Sequence, residues 1–296
     1  MFATLNRLFD ILRVSGPDAR SFLQGQLTQD LARLDDEPSL PAAWCNPKGR
    51  VITVMRIIEA WGGSDETFLS VPAGMAEALT RRLLMFRFRA SVDISLAGSD
   101  WGAFAVSDER DIAALDELGL LRQGGAGSAA RNAGVVAVDT GAPSQCVEVY
   151  GALAAMQEAG LVLSRPLPDA EWRLALINAG MPMIDAATTE KYTPHMLNLD
   201  CLGAISFTKG CYTGQEVVAR TQHLGKSKRR LMHYRTEEPL AGTGDKLRHD
   251  DRDVGEVLNA AGEHLLAVVP ADLHKLTLSL EGQPATPVDL PYALPE

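Results

Sequence analysis

Nowhere in its 296 residues does the sequence approach the ~18 consecutive apolar residues of a membrane-spanning helix, so no membrane association is expected. The first ten residues, Met1 to Asp10, lack the basic start and clean apolar core of a secretory signal, which makes a cytoplasmic protein the expectation. Cysteine is scarce. Cys45, Cys146, Cys201 and Cys211 include no Cys-x-x-Cys pair, so reduced thiols and no stable metal site are expected. Positive charge is in deficit, 28 Lys and Arg against 38 Asp and Glu, a formal net charge of −10. Such a chain does not coat long nucleic acid non-specifically, because phosphate neutralisation supplies most of that affinity. Any nucleic-acid contact has to be local. No internal repeat, coiled coil or apolar seam is present, and a monomer of two or three domains is expected.

What is there reads as mixed α and β. Gly16-Pro17-Asp18 opens a helix, or two short ones broken near Gly25, with Phe22, Leu23, Leu27, Leu31 and Leu34 at helical spacing. Ala42–Cys45 and Val51–Ile58 flank the turn Asn46-Pro47-Lys48-Gly49 and predict a hairpin. A helix over about 74–86 is followed by strands near 91–96 and 101–106, then a helix capped by Ser107-Asp108 and closed by Gly119. Gln123–Ala130 reads as a flexible loop, 135–138 and 145–149 as strands, and 152–159 and 169–179 as helices. After Arg230, short apolar runs split by glycines predict a small all-β unit. His249–Asp253 reads as an exposed hairpin tip and not a metal site.

The densest chemistry lies at Ser206–Thr221. Thr213 and Glu216 stand at capping-box spacing before Val217, which predicts a helix capped by Thr213 and ending near Gly225. Cys211 then precedes the positive end of a helix and neighbours Lys209, two effects that favour thiolate. Gly210 and Gly214 permit close backbone approach or positive φ. The alternative is a small buried cysteine in a helix-entry loop.

The run Lys209-Gly210-Cys211-Tyr212-Thr213-Gly214-Gln215-Glu216 resembles the signature of the YgfZ-type folate-binding proteins, relatives of the glycine cleavage T-protein. Phe22–Asp30, Cys45–Arg50, Ala179–Pro182 and Asn198–Phe207 also resemble family segments in the same order, with a weaker echo at Leu290-Pro291-Tyr292. The resemblance implies an α+β, T-protein-like fold. Its parts are a discontinuous folate-binding domain (1–45 and 145–230), an inserted α+β domain (46–144) and a C-terminal β-barrel (231–296). It implies a tetrahydrofolate in a central cavity, with Trp172 and Phe9 as aromatic faces for the pterin. Asn178 falls where T-proteins carry a carboxylate, and an amide there supplies no charge. It further implies a role in maintaining iron–sulfur enzymes, including one that thiolates tRNA, with Cys211 as the essential residue. His195 departs from a glutamine frequent in the family and reads as a solvated loop histidine.

Between Lys209 and Arg235, seven bases face one acid. Arg220 and the cluster Lys226, Lys228, Arg229 and Arg230 would suit a folate polyglutamate tail, a tRNA phosphate strand or an acidic protein. Arg81, Arg82, Arg87 and Arg89 form a second cluster. Three functions follow. They are a folate-binding accessory protein for iron–sulfur enzymes, a tetrahydrofolate-dependent aminomethyl transferase, and a scaffold that docks tRNA or protein without a small molecule.

Overall fold

The computed structural model describes residues 8–59, 66–121, 127–141, 146–161, 166–225, 227–239 and 241–295. Half of the predicted glycine-rich loop, 123–126, and Lys226 lie outside the described residues, and the loop's last two residues, Ala129 and Ala130, are strand.

The first sheet contains β1 (Phe9–Ser15), β2 (Ser39–Cys45), β3 (Val51–Glu59), β4 (Glu66–Pro72) and β5 (Asp93–Leu96) in the antiparallel order β2-β3-β4-β1-β5. Both of its faces are covered, so neighbouring apolar residues enter different cores. Leu12, Ile57 and Leu69 pack under α1 (Ala19–Gln24) and α2 (Ala76–Leu84), while Ile11, Ile58 and Phe68 face the second sheet. This is why Val51–Ile58 reads as a nearly unbroken apolar run and does not alternate. The boundary expected between residues 45 and 46 falls at the turn of the β2–β3 hairpin, whose strands share one sheet.

The second sheet, β6 (Trp101–Val106), β7 (Ala129–Asn132), β8 (Val135–Asp139) and β9 (Val147–Ala152), has the order β6-β9-β8-β7. Its outer face carries α3 (Glu109–Glu117) and α4 (Leu153–Glu158), packed through Ile112, Leu115 and Met156. Asp108 caps α3 by accepting from the Arg110 N–H, and Gly119 at φ +66° follows it. The inner face shares a core with the first sheet and with α5 (Asp169–Asn178), centred on Tyr150 and Trp172.

A long connection leads from α5 to α6 (Gln215–Leu224) and then to a closed barrel. The barrel strands are β10 (Arg229–Arg235), β11 (Lys246–His249), β12 (Arg252–Ala261), β13 (His264–Pro270), β14 (Leu278–Leu280) and β15 (Gln283–Val288), in the order β10-β13-β12-β11-β14-β15. Asp250 and Asp251, both at positive φ, form the tip of the β11–β12 hairpin. A further core joins Val51, Ile177, Leu197, Val218, Leu231 and Leu266, tying the hairpin, α5, α6 and the barrel together. The chain is thus α+β with a C-terminal β-barrel. Among the described residues no helix is long and apolar enough to cross a membrane.

Candidate functional site

The signature loop is shaped by what it buries. Lys209 and Tyr212 are both buried, whereas Gly210 and Cys211 between them are exposed. The Lys209 ammonium donates to the carbonyls of Gln24 (2.6 Å), Leu27 (2.8 Å) and Gln29 (2.8 Å) and lies 5.3 Å from the Tyr212 ring centre. Burial lowers its pKa to about 8. Two inward anchors therefore leave Cys211 at the crest of the loop. The expectation that Lys209 serves the thiol is corrected: its charge is spent on three backbone oxygens.

The helix start differs as well. Gly214, at φ +84°, is the N-cap of α6 and no side chain caps the helix, so Thr213 does not play that part. The reason is steric. A Cβ at Gly214 would lie 2.5 Å from the Asn46 carbonyl oxygen, and the turn 46–50 fills the space beside the helix entry. Gly210 has open space around it and no positive φ, so the loop's conformational demand falls on Gly214 alone. Gln215 begins α6, Glu216 is exposed in its first turn, and Arg220 is exposed one turn later.

The turn 46–50 is itself pinned. Asn46 Nδ2 and Arg82 Nη2 both donate to Glu190 Oε1 at 2.8 Å, and Arg50 Nη1 donates to the Lys191 carbonyl at 2.7 Å. The bonds from Arg82 and then Asn46 hold the Glu190 carboxyl below the usual carboxylate range. Two segments far apart in sequence, 45–50 and 209–216, thus make one rigid platform beneath Cys211. The other cysteines differ: Cys45 and Cys146 are buried, with pKa pushed up to about 12 by burial, and Cys201 is half-buried, pushed up to about 11.

A second constellation lies between the two sheets and α5. The Glu148 carboxylate accepts from Arg56 Nε (3.0 Å), Tyr150 OH (3.0 Å) and Trp172 Nε1 (3.1 Å). Burial, then the Glu148 charge, push the Tyr150 hydroxyl well above its ordinary value. Trp172 is buried, and its ring centre lies 5.1 Å from that of half-buried Phe9. Phe9, Arg56, Glu148, Tyr150, Met181 and Met183 are among the residues lining a cavity of about 50 Å3. Asn178, half-buried at the end of α5, is not among them. The structure thus brings Phe9 and Trp172 together and leaves Asn178 aside. Glu148 and Arg56 were missed in the sequence, although each is a charge inside an apolar strand run, Cys146–Tyr150 and Val51–Ile58.

The basic cluster is not the uniform charged face its spacing suggests. Arg230 is buried and paired bidentately with Asp200 at 2.7 and 3.0 Å. Arg229 Nη2 donates to the carbonyls of Val254 (2.7 Å) and Val268 (3.2 Å), while Lys228 is exposed. His195 is also corrected: it is 2% exposed, its Nε2 lies 3.0 Å from Gln222 Oε1, and burial lowers its pKa. The second arginine cluster is divided, with Arg81 pairing with Glu77 and Arg82 with Glu190.

A scan against protein-family models finds no match. The tRNA-modifying protein YgfZ of Colwellia psychrerythraea is 31% identical over 278 residues, covering 89% of this chain and 80% of the relative. Its namesake in Photobacterium profundum is 31% identical over 303 residues, covering 96% and 89%. Among solved structures, the glycine cleavage system aminomethyltransferase T of Bartonella henselae superposes with a TM-score of 0.67 at 18% identity, covering 96% of this chain and 83% of that one. That likeness concerns the fold, which is T-protein-like. With curated relatives at this identity over most of its length, the chain belongs to the YgfZ family.

Proposed function

We propose that this protein acts in tRNA modification, as a cytoplasmic accessory to the iron–sulfur enzymes that thiolate tRNA, with Cys211 as its working thiol and a tetrahydrofolate as its ligand. The curated relatives named as tRNA-modifying proteins support the first part. The observation that carries the rest is that Cys211 alone of the four cysteines is exposed, on a loop anchored at both sides. A thiol so held meets a partner's cluster or disulfide without the loop having to order first.

The folate site we assign to the cavity lined by Phe9, Tyr150 and Glu148, with Trp172 packed behind Phe9. Its chemistry suits a flat heterocycle with a hydrogen-bonding edge: the rings of Phe9 and Tyr150, the Glu148 carboxylate, and Arg56 Nη1 and Ser70 Oγ without partners among the described residues. Its 50 Å3 amounts to one or two water molecules at ~30 Å3 each, so a pterin enters only if Phe9 and the methionines swing aside. The transferase reading asks for a carboxylate at position 178, where the chain has Asn178, and the cavity's own carboxylate is already held by Arg56.

The test is complementation of cells lacking the native protein, with thiolated tRNA nucleosides measured by mass spectrometry. Cys211→Ser should leave thiolation at the level of the empty vector, and Cys201→Ser should restore it. Full restoration by Cys211→Ser would remove the thiol from the proposal. Calorimetric titration with tetrahydrofolate tests the cavity. Saturable binding lost in Trp172→Ala and retained in Asn178→Ala is expected, and no binding at millimolar ligand would discard the folate.

A further inference from the structure

Helix α6 leads from the cysteine loop to a groove. At its C-terminal end a trough of about 1430 Å3 opens between α6, the turn at His195, strand β10 and the turn after β13. Lys228 and Lys275, both on its lining and exposed, have no carboxylate partner among the described residues. Among the described residues Arg229 meets only barrel carbonyls, so no carboxylate there neutralises it. Arg230 and Asp200 cancel, and exposed Asp272 is the remaining acid of the lining. The trough is therefore net positive on a chain of formal charge −10, and clefts lined by one sign of charge concentrate ligands of the other. At its base the buried His195 keeps an Nδ1 with no partner among the described residues. Exposed Arg220 carries positive potential along α6 towards Cys211, with Glu216 as the acid one turn earlier.

We propose that this trough and the exposed face of α6 bind the phosphate backbone of an RNA, holding it about one helix length from Cys211. The proposal rests on the tRNA reading above and names where the tRNA docks. Ten helical residues span ~15 Å, so a small anion in the trough does not reach the thiol, whereas a folded RNA extends to both. A protein partner would need an apolar centre. The exposed large apolar side chains Met85, Phe88 and Leu96 belong to the turn after α2 and to β5, and Leu276 adjoins the trough next to Lys275. Of the trough's own apolar lining, Met232 is buried, Pro270, Ala271 and Leu294 are half-buried and only Pro295 is exposed, so the side chains it presents are chiefly polar and cationic. Contacts of this kind fix position and carry no base readout.

The experiment is fluorescence anisotropy of a labelled, unmodified tRNA transcript titrated with the full-length chain between 50 and 200 mM KCl, roughly the range over which phosphate contacts are salt-sensitive. Lys228→Glu/Lys275→Glu should weaken binding at least about tenfold, and the log K against log salt slope should become shallower by ~2, one contact per lysine. Arg220→Glu should weaken it less. Arg81→Glu/Arg89→Glu, on the second arginine cluster, should change nothing, and unaltered thermal melts should show that all variants fold. Equal affinity of wild type and the double lysine variant, or no saturable binding by wild type at the lowest salt, would overturn the proposal. Displacement of the RNA by polyglutamate of equal charge would make an acidic protein segment the occupant and overturn it equally. The complementation test is independent: a wild type that complements but binds no RNA loses the trough alone, and a Cys211→Ser that complements loses the thiol alone.

Discussion

Gly49 and Gly214 meet backbone to backbone. A Cβ on Gly214 would stand 3.2 Å from the Gly49 Cα, and one on Gly49 would stand 2.7 Å from the Val217 Cβ. Both glycines are at positive φ, +67° and +84°. The turn of a hairpin near residue 48 and the entry to a helix near residue 214 are thereby fitted together without side chains between them, and Cys211 sits on the result.

Gly214→Ala should therefore be costly. It combines a left-handed backbone with a clash against the Asn46 carbonyl, which belongs to a pinned turn and has little freedom to retreat. A loss of roughly 2–4 kcal/mol by urea denaturation is expected, together with a changed alkylation rate of Cys211 in the folded protein. Gly210→Ala, with nothing near its Cβ position, should be close to neutral and serves as the control. Indistinguishable midpoints for the two variants would refute the fitted contact.

The local elements were legible because each carried its own signal. Asp108 and Gly119 bracket α3, Gly180 closes α5, and the turn at Asn46 joins two apolar runs. The signature motif fixed the place of the exposed thiol by resemblance. What pairs across the chain was not legible. Lys209 beside Cys211 in sequence suggests an activated thiol, yet its ammonium reaches 180 residues back to the Gln29 carbonyl. Strand spacing sets which face a side chain occupies, and nothing local records which distant carbonyl waits there. Strands β1 and β4 escaped notice because Phe9–Ser15 carries Asp10 and Arg13 among its apolar residues and Glu66–Pro72 has no turn signature of its own. Likewise Arg229 and Arg230 look like surface charge in the sequence, and only the barrel and Asp200 show that they are structural.

The Arg56–Glu148 pair gives a second expectation. Both side chains are nearly fully buried, so removing one leaves an uncompensated charge, at a cost of about 3–5 kcal/mol. Arg56→Met should therefore destabilise strongly. Arg56→Met/Glu148→Gln should recover much of the loss, because the amide oxygen still accepts from Trp172 Nε1 and the amide NH2 donates to the Tyr150 hydroxyl, which turns to accept it. Urea midpoints for the two singles and the double form the cycle. A double variant no more stable than Arg56→Met would show that the charge pair is not what the arginine satisfies.

The barrel supplies a pH dependence. His233 Nε2 lies 2.9 Å from His264 Nδ1, and Arg235, which stands opposite His264 in the β10–β13 register, pairs with Glu263 just before β13. One ring must donate and the other accept, which two protonated imidazoles do not do. Burial, and then the neighbouring His264, lower the His233 pKa to about 4, and burial also lowers that of His264. The unfolded chain binds its protons near pH 6.5, before the folded one does, so the contribution is complete above that pH and is lost as the pH falls towards 4. The pair should account for roughly 2–3 kcal/mol of the stability lost across that window. Thermal melts at steps between pH 7 and pH 4 should show the wild-type midpoint falling, and His233→Gln, which removes the buried imidazole, should flatten that part of the curve. A His233→Gln profile parallel to wild type would place the acid sensitivity in the carboxylates instead, of which Glu190 and Glu256 are the first to examine, since both are held below their usual range by cationic partners.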